Sequence, residues 1–273
     1  MTRLLISTDL DGTLLDHYSY SAMAAEPALQ RLRQLQIPWV LNTSKTLAEL
    51  EPLRQQLDNR HPFVVENGAA VYIPLDSPLA PDLATDPDGR YRCKTFGPSR
   101  RRILLALEPL SRRYRFTGFA ALTAERLASL TGLDPDAARQ AMSRQFTEPL
   151  IWEDSRGALE DFASELSLLN FQVQRGGRFT HVMGRCDKAD AMAWLIEQYQ
   201  ALWGESIKCM ALGDGDNDIG MLQRADLPVL VRSPAHSPPP IPERKDVLLT
   251  RLQGPAGWND AVLNTLQQLD LGT

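Results

Sequence analysis

The chain has 273 residues, of which 43% are apolar, and 29 Lys plus Arg against 34 Asp plus Glu give a formal net charge of −5. This is the composition of a globular protein, and its mild acidity excludes nucleic acid as the main partner, because phosphate backbones require clustered positive charge. The longest run without a charged side chain, 34–44, falls well short of the roughly 20 apolar residues of a membrane-spanning helix, so no membrane association is expected.

Arg3 interrupts the N-terminus before an apolar leader core can form, so a cytoplasmic protein is expected. Cys93, Cys186 and Cys209 have neither zinc-site spacing nor the density of a disulfide framework, and are expected as thiols. At roughly 150 residues per domain the length fits two domains, or one domain carrying a large insertion.

Residues 3–8 form a short apolar run, 22–35 place Ala25, Leu29, Leu32 and Leu35 at helical spacing, and 37–42 form a second apolar run. Strand, helix and strand in that order predict a parallel βαβ unit. The pattern continues with a helix at 46–57, a strand at 63–65 and a hairpin strand at 69–73. After the middle of the chain it resumes with a helix at 187–203, a strand at 207–212, a helix at 218–224 and a strand at 227–231. These segments predict an α/β core with a Rossmann-like, doubly wound parallel sheet.

Between them, 75–89 is rich in Pro and Asp, and the next hundred or so residues mix predicted strands at 91–96, 150–153, 168–174 and 179–183 with helices at 99–114 and 155–166. We therefore expect an inserted α+β domain at 84–185, with the catalytic core formed by 1–83 and 186–273. Charge agrees with this division, since 84–185 contains 15 Arg and one Lys against 12 acidic residues. A basic insertion on an acidic core suits a small anionic substrate held between them. Solvated Arg on helix faces explains part of the same excess. Five prolines within 233–242 predict a stiff surface loop.

The chemistry-bearing residues follow the predicted strands. Asp9-Leu10-Asp11-Gly12-Thr13 leaves the first strand with both carboxylates on one side, at the carboxyl end of the sheet where open α/β folds place their sites. Two such acids are tolerated when a divalent cation neutralises them or one takes up a proton. A second acidic group, Gly213-Asp214-Gly215-Asp216-Asn217-Asp218, follows another predicted strand. The Glu that a calcium loop carries at its twelfth position is missing, and Mg2+, which takes few protein ligands plus substrate phosphate, fits better. Thr43, at the end of the second strand, offers a hydroxyl, and Lys188, opening a helix, offers a fixed positive charge. Both suit the equatorial oxygens of a transferring phosphoryl group.

These four pieces, in this order, resemble the haloacid dehalogenase superfamily of phosphohydrolases. The resemblance spans nearly the whole chain, and the position of the insertion is similar to the type IIB cap of sugar phosphatases. Asp16-His17-Tyr18-Ser19-Tyr20, Thr43-Ser44-Lys45-Thr46, Glu66-Asn67-Gly68-Ala69, Glu148-Pro149-Leu150, Gly176-Gly177-Arg178-Phe179 and Gly254-Pro255-Ala256-Gly257-Trp258 resemble the mannosyl-3-phosphoglycerate phosphatases within it.

The resemblance implies that Asp9 is the nucleophile, forming an aspartyl phosphate, and that Asp11 protonates the leaving alkoxide and later activates water. It implies Mg2+ held by the Asp9 carboxylate, the Asp11 backbone carbonyl and Asp214, with Asp218 counted in the metal site, Asn217 orienting that shell, and Lys188 and Thr43 gripping the phosphoryl group. The implied substrate is a phosphorylated, anionic glycosyl glycerate, for which Arg178, then Lys45, Glu148 and His17 are the expected contacts. Competing expectations are the glucosyl ester or another sugar phosphate, a phosphomannomutase, and a catalytically idle binding protein on the same fold.

Overall fold

The structure, a computed structural model, describes residues 3–176 and 179–270. Five strands come first: β1 (Arg3–Thr8), β2 (Trp39–Asn42), β3 (Phe63–Val65), β4 (Ala70–Pro74) and β5 (Tyr91–Thr95). Four more, β6 (Phe116–Gly118), β7 (Thr147–Trp152), β8 (Phe171–Gly176) and β9 (Phe179–Gly184), make a separate antiparallel sheet in the order β6-β7-β9-β8. The chain then returns with β10 (Ile207–Gly213), β11 (Leu227–Arg232) and β12 (Leu248–Gln253), completing an eight-stranded sheet ordered β12-β11-β10-β1-β2-β3-β4-β5. Its first six strands run parallel, and β4 and β5 add antiparallel at one edge.

Strands buried on both faces explain the uninterrupted apolar runs. On β1, Leu4 and Ile6 pack on one face with Trp39 and Leu41, against α1 (Glu26–Gln34) and α9 (Gly254–Gln268), the latter contributing Trp258 and Val262. Leu5 and Val40 point to the other face, where α7 (Lys188–Trp203) supplies Ala191, Leu195 and Tyr199. The second sheet has its own core, in which α3 (Arg100–Leu110) and α6 (Arg156–Leu168) cover Leu150 and Val182 with Ile103, Leu107, Phe162 and Leu166.

The sheet corrects the expected start of the insertion, because β5 pairs with β4 and belongs to the large sheet. Asp86 makes this return possible: its Oδ1 accepts from the backbone N–H groups of Arg90 (2.8 Å) and Tyr91 (2.9 Å), turning the chain back. Tyr91 then meets Phe63 and Tyr72 with ring centroids 5.2 and 5.8 Å apart. The strand expected from residue 168 begins at Phe171, because α6 runs on to Leu168 and Asn170 turns the chain with a φ of 63°.

Candidate active site

Parallel strand order reverses between β1 and β10, so the loops leaving these two strands diverge and open a crevice at their carboxyl ends. Asp9 follows β1 directly, and its backbone N–H donates to Leu212 O at 2.9 Å, tying it to β10. Behind it, the buried Trp258 indole donates to Thr8 Oγ1 at 2.9 Å. Asp214 and Asp218 come from the turn after β10, and their carboxylate oxygens lie within 4.8 Å of one another and of Asp9, all buried.

Lys188, 1% exposed, is the counter-charge, with Nζ 2.5 Å from Asp9 Oδ1 and 2.7 Å from Asp218 Oδ1. Asn42, on β2, donates to the Lys188 carbonyl at 2.9 Å and fixes the start of α7. Burial opposes the charge on Lys188, but Asp218 and Asp9 hold its ammonium above the ordinary range. Burial pushes the Asp9 carboxyl up to about 7; Lys188 pulls against that shift, while the charges of Asp218 and Asp11 add to it. Asp214 is raised too, by burial and then by Asp9, with His236 opposing.

Three buried carboxylates against one ammonium leave an excess of negative charge that a divalent cation relieves. The local backbone fits that role. Gly12 has a φ of 83°, and a Cβ there would lie 2.5 Å from Asp214 Oδ2, so only glycine lets the first loop close on Asp214. Thr13 Oγ1 donates to Asp214 Oδ1 at 3.2 Å and aims the carboxylate. Asp9 and Asp214 are thus the side chains fitted to hold a cation. Both Asp218 oxygens are engaged, Oδ1 by Lys188 and Oδ2 by the backbone N–H groups of Asp214 (3.1 Å) and Gly215 (3.0 Å), so Asp218 orients the set.

Not every expected residue joins this cluster. The Asp11 carboxylate turns away from the other three acids to Lys45 Nζ, 2.7 Å distant. Thr43 is buried, and its Oγ1 accepts from the Lys45 backbone N–H at 3.2 Å. Asn217 Nδ2 donates to Asn67 Oδ1 at 3.1 Å, and His17 lines the same cleft. Glu148 is a correction: it is fully buried on β7, where its carboxylate accepts from Arg100 Nε (2.6 Å) and Ala120 N–H (2.8 Å), so it satisfies the interior of the second sheet's unit instead of meeting sugar hydroxyls. Arg178 lies outside the described residues.

The cleft holds about 470 Å³ and is walled by Asp9, Asp11 and Asp214 below and by Gln174 and His181, from β8 and β9, on the other side. It also contains a residue the sequence reading passes over. The proline-rich stretch 233–242, expected as surface loop, brings His236 Nε2 to 3.2 Å from Asp214 Oδ2. Asn67, which the sequence places in the Glu66-Asn67-Gly68-Ala69 motif without a role of its own, also lines this cleft.

The haloacid dehalogenase-like hydrolase family model matches residues 6–84 and 147–236. A protein of Methanococcoides burtonii, named glucosyl-3-phosphoglycerate/mannosyl-3-phosphoglycerate phosphatase, is 37% identical over 269 residues, covering 96% of this chain and 97% of that protein. One of the same name from Persephonella marina is 34% identical, covering 98% and 99%. Among solved structures, a haloacid dehalogenase-like hydrolase from Bacteroides thetaiotaomicron superposes with a TM-score of 0.66 at 18% identity, covering 98% of this chain and all of that one. The sucrose-phosphatase of Synechocystis, in complex with sucrose and phosphate, gives 0.61 at 15%, covering 99% of each chain.

Proposed function

The chain belongs to the haloacid dehalogenase-like hydrolases and is a phosphoric monoester hydrolase, and from that premise we propose that it releases phosphate from glycosyl-3-phosphoglycerates, the mannosyl and glucosyl esters, in a Mg2+-dependent reaction. The observation that carries this reading is the near-full-length likeness to two enzymes named for both esters. The buried Asp9, Lys188, Asp214 and Asp218 cluster supports it with a site able to do the chemistry.

Asp9 attacks phosphorus, the ester bond breaks, and an aspartyl phosphate forms while Asp11 gives a proton to the leaving glycerate oxygen. Water then attacks the acyl phosphate, giving its proton to Asp11, and Asp9 is restored. Lys188 and the Thr43 hydroxyl hold the equatorial phosphoryl oxygens. Asp9, Asp214 and the Asp11 carbonyl would hold Mg2+, which would supply neutralising charge to the phosphoryl oxygens. Phosphate monoester hydrolysis is among the slowest uncatalysed reactions, with accelerations reaching about 10²¹, so this density of charge has a clear purpose.

Arg178, in the basic segment, and His17, at the rim of the cleft, remain the proposed contacts for the carboxylate and hydroxyls. The test is a screen of phosphate release across glycosyl phosphoglycerates, other sugar phosphates and an aryl phosphate. Turnover of the aryl or another sugar phosphate with none on either glycerate ester would overturn the substrate assignment. Dependence on a bisphosphate activator would point to a mutase instead.

A further inference from the structure

Between β3 and β4 three consecutive residues have positive φ: Glu66 at 49°, Asn67 at 59° and Gly68 at 90°. For residues with a Cβ this conformation is unfavourable and persists only where the surroundings impose it. Here they impose it from the catalytic side. The Glu66 and Asn67 backbone N–H groups donate to Lys45 O (2.9 Å) and Thr43 O (2.8 Å), and Asn67 Oδ1 accepts from Asn217. A Cβ at Gly68 would overlap the Asp187 carbonyl, so the turn lies directly against the segment that opens the Lys188 helix.

From this fixed base the Glu66 carboxylate, buried and without a role in the chemistry above, reaches into the four-stranded unit. Its Oε1 accepts from Gln145 N–H at 2.8 Å, and its Oε2 accepts from Phe146 N–H at 3.1 Å and Thr147 Oγ1 at 2.6 Å. Arg144 closes the arrangement from the same unit, with Nη1 3.9 Å from Glu66 and donating to Ser44 O (3.3 Å) and Thr147 Oγ1 (2.9 Å). Thr147 pairs with Met183 at the end of β9, immediately before the chain crosses back to Lys188. Gln174 and His181, which line the cleft, pair with each other in the same sheet, His181 two residues before Met183 on β9.

We propose that Glu66 is a positioning residue that seats the four-stranded unit over the catalytic cleft, linking Gln145, Phe146 and Thr147 to the turn that also braces Thr43, Asn217 and Lys188. The kinetic part of its test rests on the phosphatase reading above, and the exchange part does not.

Glu66→Gln keeps the size but replaces one acceptor oxygen with a donor facing other donors, and Thr147→Val removes one donor to Glu66 and one acceptor for Arg144, with Glu66 itself left intact. Amide hydrogen exchange at Gln145 and Phe146 is expected to rise about 10-fold or more in Glu66→Gln, with β1 and β10 unchanged. On glycosyl phosphoglycerate, kcat/KM is expected to fall about 10- to 100-fold, while 4-nitrophenyl phosphate, which reaches Asp9 without the second unit, changes by less than about twofold. Thr147→Val should shift the same quantities in the same direction by less. Equal losses on both substrates with protection lost through the large sheet would make Glu66 a core stabiliser and overturn the proposal, as would unchanged exchange at Gln145 and Phe146. If the wild type does not hydrolyse the ester, the substrate reading fails by itself, and exchange at those two amides still decides the role of Glu66.

Discussion

The ε-ammonium of Lys45 lies 2.7 Å from Asp11 Oδ2, so a cation expected to meet the substrate instead pairs with the carboxylate expected to handle the leaving group. Burial works against the charge on Lys45, but Asp11 and Glu49 hold its ammonium above the ordinary range. Asp11 keeps a second oxygen, Oδ1, buried and without a hydrogen-bond partner among the described residues.

Lys45→Met should therefore lower kcat for aryl and glycosyl phosphates alike, by about 10-fold, the consequence of removing one partner of a charged hydrogen bond that is only partly buried. Steady-state kinetics on both substrates checks this. A loss confined to the glycosyl ester would mean that Lys45 leaves Asp11 to bind substrate.

Asp9→Asn keeps the shape of the site and removes the nucleophile, so phosphate release should fall by about 10³-fold or more. With Mg2+ and beryllium fluoride the wild type should form an acyl-phosphate mimic on Asp9, and the variant should not. The amide also lacks the buried charge that Lys188 only partly offsets, so the metal-free variant should melt no lower than the wild type at neutral pH. Near-normal turnover by this variant would remove Asp9 from the chemistry.

The core was legible in the sequence because strands buried on both faces leave unbroken apolar runs, and because Asp9 and Asp214 stand directly at the ends of two of them. Pairing between distant segments was not legible. Nothing within Tyr91–Thr95 says that its partner is β4, and that choice depends on Asp86 and on the rings of Phe63 and Tyr72. Glu148 looked available for the same reason, since the cation that satisfies it, Arg100, is 48 positions away. His236 was hidden differently: a proline-rich stretch signals stiffness, and only the placement of β11 and β12 brings it over Asp214. The three-residue β6 and the eight-residue helices α4 (Ala124–Thr131) and α5 (Pro135–Met142) were too short to leave a clear period.

His61 provides a measure of stability separate from the active site. Burial, and then the nearby Arg54 guanidinium, lower its imidazole from 6.5 to about 4. A base depressed in this way contributes stability that is fully present above pH 6.5 and is lost as pH falls through about 4. His61→Asn should therefore flatten the acid side of a plot of urea midpoint against pH over that window. An unchanged slope would mean that other groups govern acid unfolding.

The last prediction links the metal to protons. Without a cation the Asp9 carboxyl is raised from 3.8 to about 7, so the folded protein binds this proton more tightly than the unfolded chain does. The resulting stability is complete below pH 3.8 and is lost as pH rises through about 7. Mg2+ binds the ionised carboxylates and stabilises only the folded state, so the rise in Tm that it causes should grow across the same interval and level off above it. Asp9→Asn should make that rise smaller and less dependent on pH. Excess chelator should abolish phosphate release and Mg2+ should restore it, whereas Ca2+, with longer and more variable coordination, should raise Tm without restoring turnover. A Mg2+ effect on Tm that is flat with pH would separate the cation from Asp9, and full turnover in excess chelator would mean that Lys188 and the Thr43 hydroxyl hold the phosphoryl group unaided.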